Sequence, residues 1–443
     1  MKTRLKVPFL LLIMVLVTFT SMLTKPITTS AAVDVQAKTA ILVDAETGKI
    51  LFEKDADVAL PPASMTKMMT EYLVLEAINE GKISWDTTTQ ITDYPYSISA
   101  DPAFSGVGLK QNQDYTVREL YEAMAINSDN ATAIALAELV AGSEGDFVKM
   151  MNEKADQMGL PDAKFVNATG LANSDLGNNV PEGTGADEDN LMSARSAALL
   201  AYRLINDYPE ALDISSMTTT EFDGQEIQNW NWMLPNMPGY LSQYGYEGMD
   251  GLKTGWTDLA GFCFTGTAER SDQRLISVVM KTDSKEARFE ETRKLLDYGF
   301  NQFEKKELYP NEYQIEDQKT LSVTKGKQDT VEIASNAPLT TMIEKGTEDQ
   351  YNVEYKLDDS VLNDKKELTA PIKKGQKVGS VKLVNSEKDF GYITSDGEQK
   401  ESVDLVTQEK VEKSNWFMLM IGAITGFFAD IFTSVVDTVK GWF

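Results

Sequence analysis

Ser64-Met65-Thr66-Lys67, within Pro62-Ala63-Ser64-Met65-Thr66-Lys67-Met68-Met69, sets a hydroxyl and an amine three residues apart at the head of residues 63–77, which read as a helix. At that spacing both side chains share one helix face, about a turn apart. A serine becomes a nucleophile only beside a base, and a lysine is such a base when desolvation or a second cation lowers its proton affinity. On its own the tetrapeptide reads first as an ordinary helix start with a solvated lysine, so its meaning depends on what accompanies it.

Two companions follow in order. Ser128-Asp129-Asn130 forms a polar break between helical residues 117–126 and 131–140, and Lys253-Thr254-Gly255 sits in the strand-like Met249-Asp250-Gly251-Leu252-Lys253-Thr254-Gly255-Trp256-Thr257. Separately, Ser128 and Asn130 look like cap residues and Thr254-Gly255 like an edge-strand bend. Together, once each and in this order, the three elements are the set found in penicillin-binding proteins and serine β-lactamases.

Composition narrows the chemistry independently. The 443 residues contain no histidine and one cysteine, Cys263. That excludes Ser-His-Asp and Cys-His catalysis, histidine metal sites, structural disulfides and cysteine-rich metal sites. Lysine and arginine number 42 against 68 acidic residues, a net charge of −26, which argues against nucleic acid as a partner. The length suits two or three domains. Cys263, between Phe262 and Phe264, reads as a core residue rather than a redox thiol. The methionines, Met65, Met68 and Met69 among them, read as core fillers.

The ends carry targeting signals. Lys2, Arg4 and Lys6 precede an apolar run over residues 7–17, and Thr29-Ser30-Ala31-Ala32 offers small residues for cleavage, so residues 1–32 read as a signal peptide, with a retained anchor as the alternative. At the other end, residues 416–429 are uncharged, and Ile431, Phe432, Val435, Val436, Val439 and Trp442 recur at helical spacing. Fourteen uncharged residues fall short of the roughly twenty of a span. Residues 412–443 therefore read as an amphipathic helix in the membrane interface, anchored by Trp416, Phe417, Trp442 and Phe443; a tilted spanning helix and a helix packed on the protein are the alternatives.

Between the ends, residues 39–43 and 50–52 read as two strands joined by a turn, residues 170–190 as a surface loop, residues 191–204 as a helix, residues 262–267 and 278–280 as strands, and residues 288–298 as a closing helix. Beyond residue 304 short alternating segments (residues 321–323, 330–333, 377–383 and 391–393) predict a small all-β domain to residue 408.

With Tyr115-Thr116-Val117-Arg118-Glu119-Leu120, Phe165-Val166-Asn167-Ala168-Thr169-Gly170-Leu171, Arg288 and Leu295-Leu296-Asp297-Tyr298-Gly299-Phe300 added to the three motifs, the chain resembles the serine D-alanyl-D-alanine carboxypeptidases, the low-molecular-mass penicillin-binding proteins. The resemblance implies an α+β fold of the penicillin-binding and serine β-lactamase type, an antiparallel sheet with a helical subdomain. It places that domain at residues 33–303 and the β-rich domain at residues 304–408. It implies Ser64 as the nucleophile, Lys67 as its base, Ser128 for proton delivery to the leaving amine, Asn130 as a donor to the substrate backbone and a partner of Lys67, and Lys253 as the charge that keeps Lys67 neutral. Thr254 and Gly255 would line the substrate site, Thr254 facing the terminal carboxylate, and the amides of Ser64 and Trp256 would form the oxyanion hole.

No metal or organic cofactor is implied. The implied partners are peptidoglycan stem peptides ending in D-Ala-D-Ala, β-lactams as covalent inhibitors, and the outer face of the cytoplasmic membrane, in a pattern resembling Gram-positive members. Two departures stand out: Trp256 replaces a histidine common in the family, and residues 173–190 are longer and more acidic. A D,D-endopeptidase, a β-lactamase and a weakly active or inactive scaffold are the competing readings. Trp230 and Trp232 read as groove lining or as packing beneath it.

Overall fold

The computed structural model describes residues 33–160, 162–387 and 389–415; both the expected signal peptide and residues 416–443 of the expected anchor lie outside them. Among the described residues no helix is long and apolar enough to cross a membrane.

The first hairpin forms where the turn residues predict it. Strands β1 (Thr39–Asp44) and β2 (Ile50–Lys54) flank a turn in which Asp44 accepts the amide and hydroxyl of Thr47. Four main helices follow: α1 (Lys67–Asn79), entered through a 3-10 turn at Ala63–Thr66, α2 (Val117–Asn127), α3 (Asn130–Ala141) and α4 (Glu144–Met158). Thr116 and Glu119 close a capping box on α2, and the Ser143 hydroxyl caps α4, a helix the sequence reading passed over. Helix α5 is Ala194–Asp207 rather than starting at Leu191: Ser193 is its N-cap, and Leu191 and Met192 bridge instead to Lys164 and Leu60.

Three long strands, β3 (Met249–Thr257), β4 (Gly261–Arg270) and β5 (Gln273–Thr282), and helix α6 (Lys285–Gln302), capped by Ser284, complete this part. The five strands form one antiparallel sheet in the order β2-β1-β5-β4-β3, which leaves β3 at an edge. Alternation decides what each face covers. Ile41, Val43, Ile276, Val278 and Met280 join the large apolar cluster of the helical region, while Leu42 and Leu275 pack under Gly299 of α6, where a methyl would stand 2.9 and 2.5 Å from them.

Residues 170–190 are mostly exposed or half-buried, as expected of a surface loop, but the segment is pinned from within by a few buried polar side chains. Asn167, Asn173 and Asn190 are buried and bond one another and the local backbone, among them Asn167 Nδ2 to Asn173 Oδ1 at 2.9 Å and the Val166 amide to Asn190 Oδ1 at 2.6 Å. Asparagine carries donor and acceptor together, so it satisfies irregular backbone that water would otherwise serve.

Apart from two short two-stranded sheets among the helices, Thr88–Gln90 with Asp114–Thr116 and Thr219–Phe222 with Gln225–Gln228, the other strands of the described residues make the β-rich part. β6 (Phe303–Tyr309) pairs with β9 (Leu339–Glu344), while β7 (Thr320–Thr324), β8 (Thr330–Ser335), β10 (Tyr351–Leu357), β11 (Leu368–Thr369), β12 (Lys377–Asn385) and β13 (Val403–Thr407) form a sheet ordered β10-β12-β13-β8-β7-β11. Pairing runs on past residue 408, for Val411 bridges Ile372 and Lys413 bridges Gly326. Residues 391–393, expected as a strand of this part, instead meet the first hairpin: Ile50 donates to Gly391 and Ile393 to Gly48, both at 2.9 Å.

Candidate active site

The chain arrives at Ser64 under constraint. Ala63 takes a positive φ of 49°, and Gly170, at φ +87°, lies so close that a methyl on it would stand 1.9 Å from the Ala63 carbonyl oxygen. Gly255 on β3 is held as tightly from the other side, its hypothetical methyl 2.5 Å from the carbonyl of Pro62. Two glycines thus clamp the turn that presents Ser64.

Lys67, the first residue of α1, is fully buried, and its amine meets three oxygens: Ser64 Oγ at 3.0 Å, Asn130 Oδ1 at 2.8 Å and the Thr169 carbonyl at 2.8 Å. Asn130 Nδ2 donates to the Ser105 carbonyl at 3.2 Å, which fixes the orientation of that amide. Two of the three partners of Lys67 are oxygens that only accept, so a neutral amine directs both its protons to them and leaves its lone pair for the Ser64 hydroxyl. Burial, and then the charge of Lys253, hold Lys67 well below the ordinary lysine range, with Asp129 and Glu71 acting in the other direction.

Ser128 ends α2 in the left-handed conformation, φ 62°, and the Asp129 carboxylate caps α3 through the Thr132 amide while also accepting the Val107 amide, both at 2.6 Å. Of the two residues read as caps, Ser128 is the C-cap of α2, whereas the N-cap of α3 is Asp129 and Asn130 is the helix's first residue; the same local geometry puts Ser128 on the cleft and Asn130 on Lys67. Lys253 is buried on β3, and burial lowers its proton affinity while Glu71 raises it.

Ser64, Ser128, Thr254, Gly255 and Trp256 line a cleft of about 270 Å³, and the buried Lys67, Asn130 and Lys253 back it, so the structure gathers every predicted site residue. It adds Ser105, Trp230, Phe262, Lys285 and Arg288 to the lining. Trp230 faces the cleft, whereas Trp232 is buried against Tyr240, Tyr244 and Phe289, which divides the two readings between the two tryptophans. Lys285 and Arg288, three apart on α6, carry the signal by which sequence could have found them; Ser105 carries none. Trp256, 54% exposed, lies over Phe262 with ring centroids 5.9 Å apart and planes at 29°. Cys263 is buried, its thiol pushed up to about 11 by burial, as befits a core residue.

Residues 25–284 match the family described as D-alanyl-D-alanine carboxypeptidase, and residues 303–413 match the C-terminal domain of penicillin-binding protein 5. The chain is 32% identical over 393 residues to D-alanyl-D-alanine carboxypeptidase DacC of Escherichia coli, covering 88% of each chain. It is 30% identical over 387 residues to DacF of Bacillus subtilis, covering 87% of this chain and 88% of the relative. Relatives from both organisms align over the same extent, so the likeness does not single out the Gram-positive envelope that the pattern suggested.

Among solved structures, a peptidoglycan synthesis regulatory factor (PBP3) of Streptococcus pneumoniae superposes with a TM-score of 0.70 at 37% identity, covering 85% of this chain and 99% of that one. Penicillin-binding protein D2 of Listeria monocytogenes in its cefotaxime-bound form superposes with a TM-score of 0.52 at 33% identity, covering 61% and 100%. Both the motifs and the fold that carries them thus have one source: this chain belongs to the D-alanyl-D-alanine carboxypeptidases, the serine peptidases of the low-molecular-mass penicillin-binding protein family.

Proposed function

We propose that the protein removes the terminal D-alanine from peptidoglycan stem pentapeptides through an acyl-enzyme on Ser64. The observation that supports this most directly is the triad of oxygens around Lys67, which leaves one direction of the amine, toward Ser64, free to accept a proton.

Ser64 Oγ bonds to the carbonyl carbon of the penultimate D-alanine as its proton passes to Lys67. The amides of Ser64 and Trp256 stabilise the oxyanion that forms. The peptide C–N bond then breaks, and the departing amine of the terminal D-alanine takes the proton by way of Ser128. Water, giving its proton to Lys67, attacks the ester; the acyl C–O bond breaks, Ser64 Oγ takes that proton back from Lys67, and the shortened stem leaves. Lys253 keeps the cleft positive for the anionic peptide, Thr254 meets the terminal carboxylate, and Arg288, whose buried Nε has no hydrogen-bond partner among the described residues, adds a second cation to that wall. Strand β3, an edge strand beside the cleft, offers the stem backbone a ladder to pair with. Loss of the terminal residue removes the donor end that cross-linking needs, so the enzyme limits cross-linking. A β-lactam is attacked at its ring amide in the same way.

The signal peptide and the amphipathic helix would export the enzyme and hold it at the outer face of the cytoplasmic membrane, with the β-rich part between catalytic domain and anchor.

The test incubates the full chain and Ser64→Ala with an L-Lys-D-Ala-D-Ala stem peptide and measures free D-alanine. Release by the parent alone is the expected result. A parent that takes a fluorescent penicillin on Ser64 but releases no D-alanine would favour the endopeptidase acting on cross-linked dimers, and a parent that does neither would favour the inactive scaffold.

A further inference from the structure

The cleft holds a cation to which the mechanism above gives no task. Lys285 is the first residue of α6, is half-buried, and lines the cleft together with Arg288, three residues on and on the same side of the helix. Among the described residues its amine makes no ion pair and no hydrogen bond, and the acidic residues beside it in the chain, Asp283 and Glu286, are exposed. Its neighbours are aromatic instead: the amine lies 5.0 Å from the ring centroid of Trp230 and 5.4 Å from that of Trp232. An indole face steadies an ammonium ion without neutralising it, so the charge is left for a ligand to answer.

Both tryptophans are themselves fixed. Trp230 donates its indole N–H to the Asn127 carbonyl at 2.8 Å, at the end of α2 and next to Ser128. Trp232 is buried against Tyr240, Tyr244 and Phe289. Arg288, 3% exposed, donates to the Gly255 carbonyl of β3 at 3.3 Å, which ties α6 to that strand. The cleft thus has one wall from β3 and α6 and another that includes Ser128 and Trp230, and at Lys285 and Trp230 the two walls meet. That meeting point lies between Ser128, assigned to the leaving amine, and Arg288, assigned to the wall that receives the terminal carboxylate. Lys285 therefore stands at the leaving-residue end.

Charge decides which leaving residues such an end accepts. A free carboxylate brings an anion to cations already partly stripped of water, whereas an amidated or extended carboxyl group covers those cations and leaves them unpaired.

We propose that Lys285 is a specificity-determining residue: its ammonium group, braced on Trp230 and Trp232, closes the leaving-residue end of the cleft and selects a leaving residue that carries a free carboxylate. The inference deepens the function proposed above and rests on the roles given there to Ser64, Ser128 and Arg288.

The test compares the full chain with Lys285→Gln, which removes the charge, and Lys285→Arg, which keeps it. Each is given an L-Lys-D-Ala-D-Ala stem peptide with a free C-terminus and the same peptide as its C-terminal carboxamide, and release of D-alanine and of D-alaninamide is measured. Only protein that takes a fluorescent penicillin on Ser64 enters the comparison, so the enzymes compared are folded. The ratio of kcat/KM, acid over amide, should fall about tenfold in Lys285→Gln through a raised KM for the acid, as expected on loss of a hydrogen bond between charged partners, while Lys285→Arg keeps most of the preference.

A ratio in Lys285→Gln equal to the parent's, or one lost equally in Lys285→Gln and Lys285→Arg, overturns the proposal and leaves Lys285 a cover for the tryptophans. A labelled parent that hydrolyses neither peptide overturns the carboxypeptidase reading and this inference with it. A parent that releases D-alanine while Lys285→Gln retains the full preference for the acid overturns this inference alone.

Discussion

Glu144 accepts the amide of Ala168 at 2.8 Å from the first turn of α4, and the next residue, Thr169, offers the carbonyl that holds Lys67 at 2.8 Å. A buried carboxylate on one helix therefore sets the height of a backbone oxygen that fixes the candidate base on another. Tyr94 donates a second bond to the same carboxyl, and burial pushes it up to about 7. Glu144→Ala strands both donors and should cost about 1–3 kcal/mol in a denaturant titration, with a loss of Ser64 labelling.

The same carboxyl gives a pH dependence of known sign. Its folded pKa lies above its unfolded value of 4.5, so protonation favours the folded state, and this contribution is present below 4.5 and lost as pH rises to about 7. Glu144→Gln, neutral at every pH, should gain on the parent across that window by at most ~2–3 kcal/mol. Equal slopes of stability against pH for parent and variant would refute it.

Gly170→Ala should be the most damaging single-methyl change near the cleft. The residue sits at φ +87°, and the methyl would meet the Ala63 carbonyl at 1.9 Å. The left-handed backbone alone costs about 1–2 kcal/mol, to which the clash adds. Thermal unfolding and penicillin labelling should fall together, because relief of the clash displaces the turn that carries Ser64.

Labelling of Ser64 should rise with pH and then level off. An ammonium at Lys67 cannot accept the Ser64 proton, and burial with the nearby charge of Lys253 holds Lys67 well below the ordinary value of 10.5, so the plateau is reached below that pH. Lys67→Ala should lower the labelling rate by about 10²–10⁴-fold. A rate that fell with rising pH through the acid range would contradict the assignment of Lys67 as base.

Trp256→Ala should preserve acylation, because the donor assigned at that position is a backbone amide of β3. With the ring 54% exposed, stability should change by less than about 1 kcal/mol. Discrimination between β-lactams with aromatic and with small side chains should shrink by about 2–10-fold, the loss of one stacking surface over Phe262. Labelling rates for a matched pair of penicillins measure it.

The Ser64, Ser128 and Lys253 motifs were legible in sequence because each depends on local geometry: a helix start, a left-handed helix end and a strand. Their chemistry required only residue type, spacing and order. The β1–β2 hairpin, α2, α3 and the strand core around Cys263 were legible for a related reason, as turn residues and alternation act over a few positions.

Other features depended on distant parts of the chain. Leu191 looked helical by its apolar spacing, but its backbone bonds Lys164 and the helix waits for the Ser193 cap. Residues 391–393 alternate like a strand of the β-rich part, yet pair with Gly48 and Ile50, over 340 residues earlier. The polar composition of residues 170–190 indicated exposure, which most of them have, but not that Asn173 and Asn190 turn inward to serve buried backbone. Sequence by itself named the groups proposed for the chemistry, since the absence of histidine called for a different base and the motifs offered a lysine beside a serine. Tertiary structure alone decided that Lys67 and Lys253 are stripped of water together and that Thr169 and Asn130 orient the amine. The reason is physical: proton affinity and lone-pair direction are set by desolvation and by partners up to 186 residues apart along the chain, as Lys67 and Lys253 are, and no local pattern encodes them.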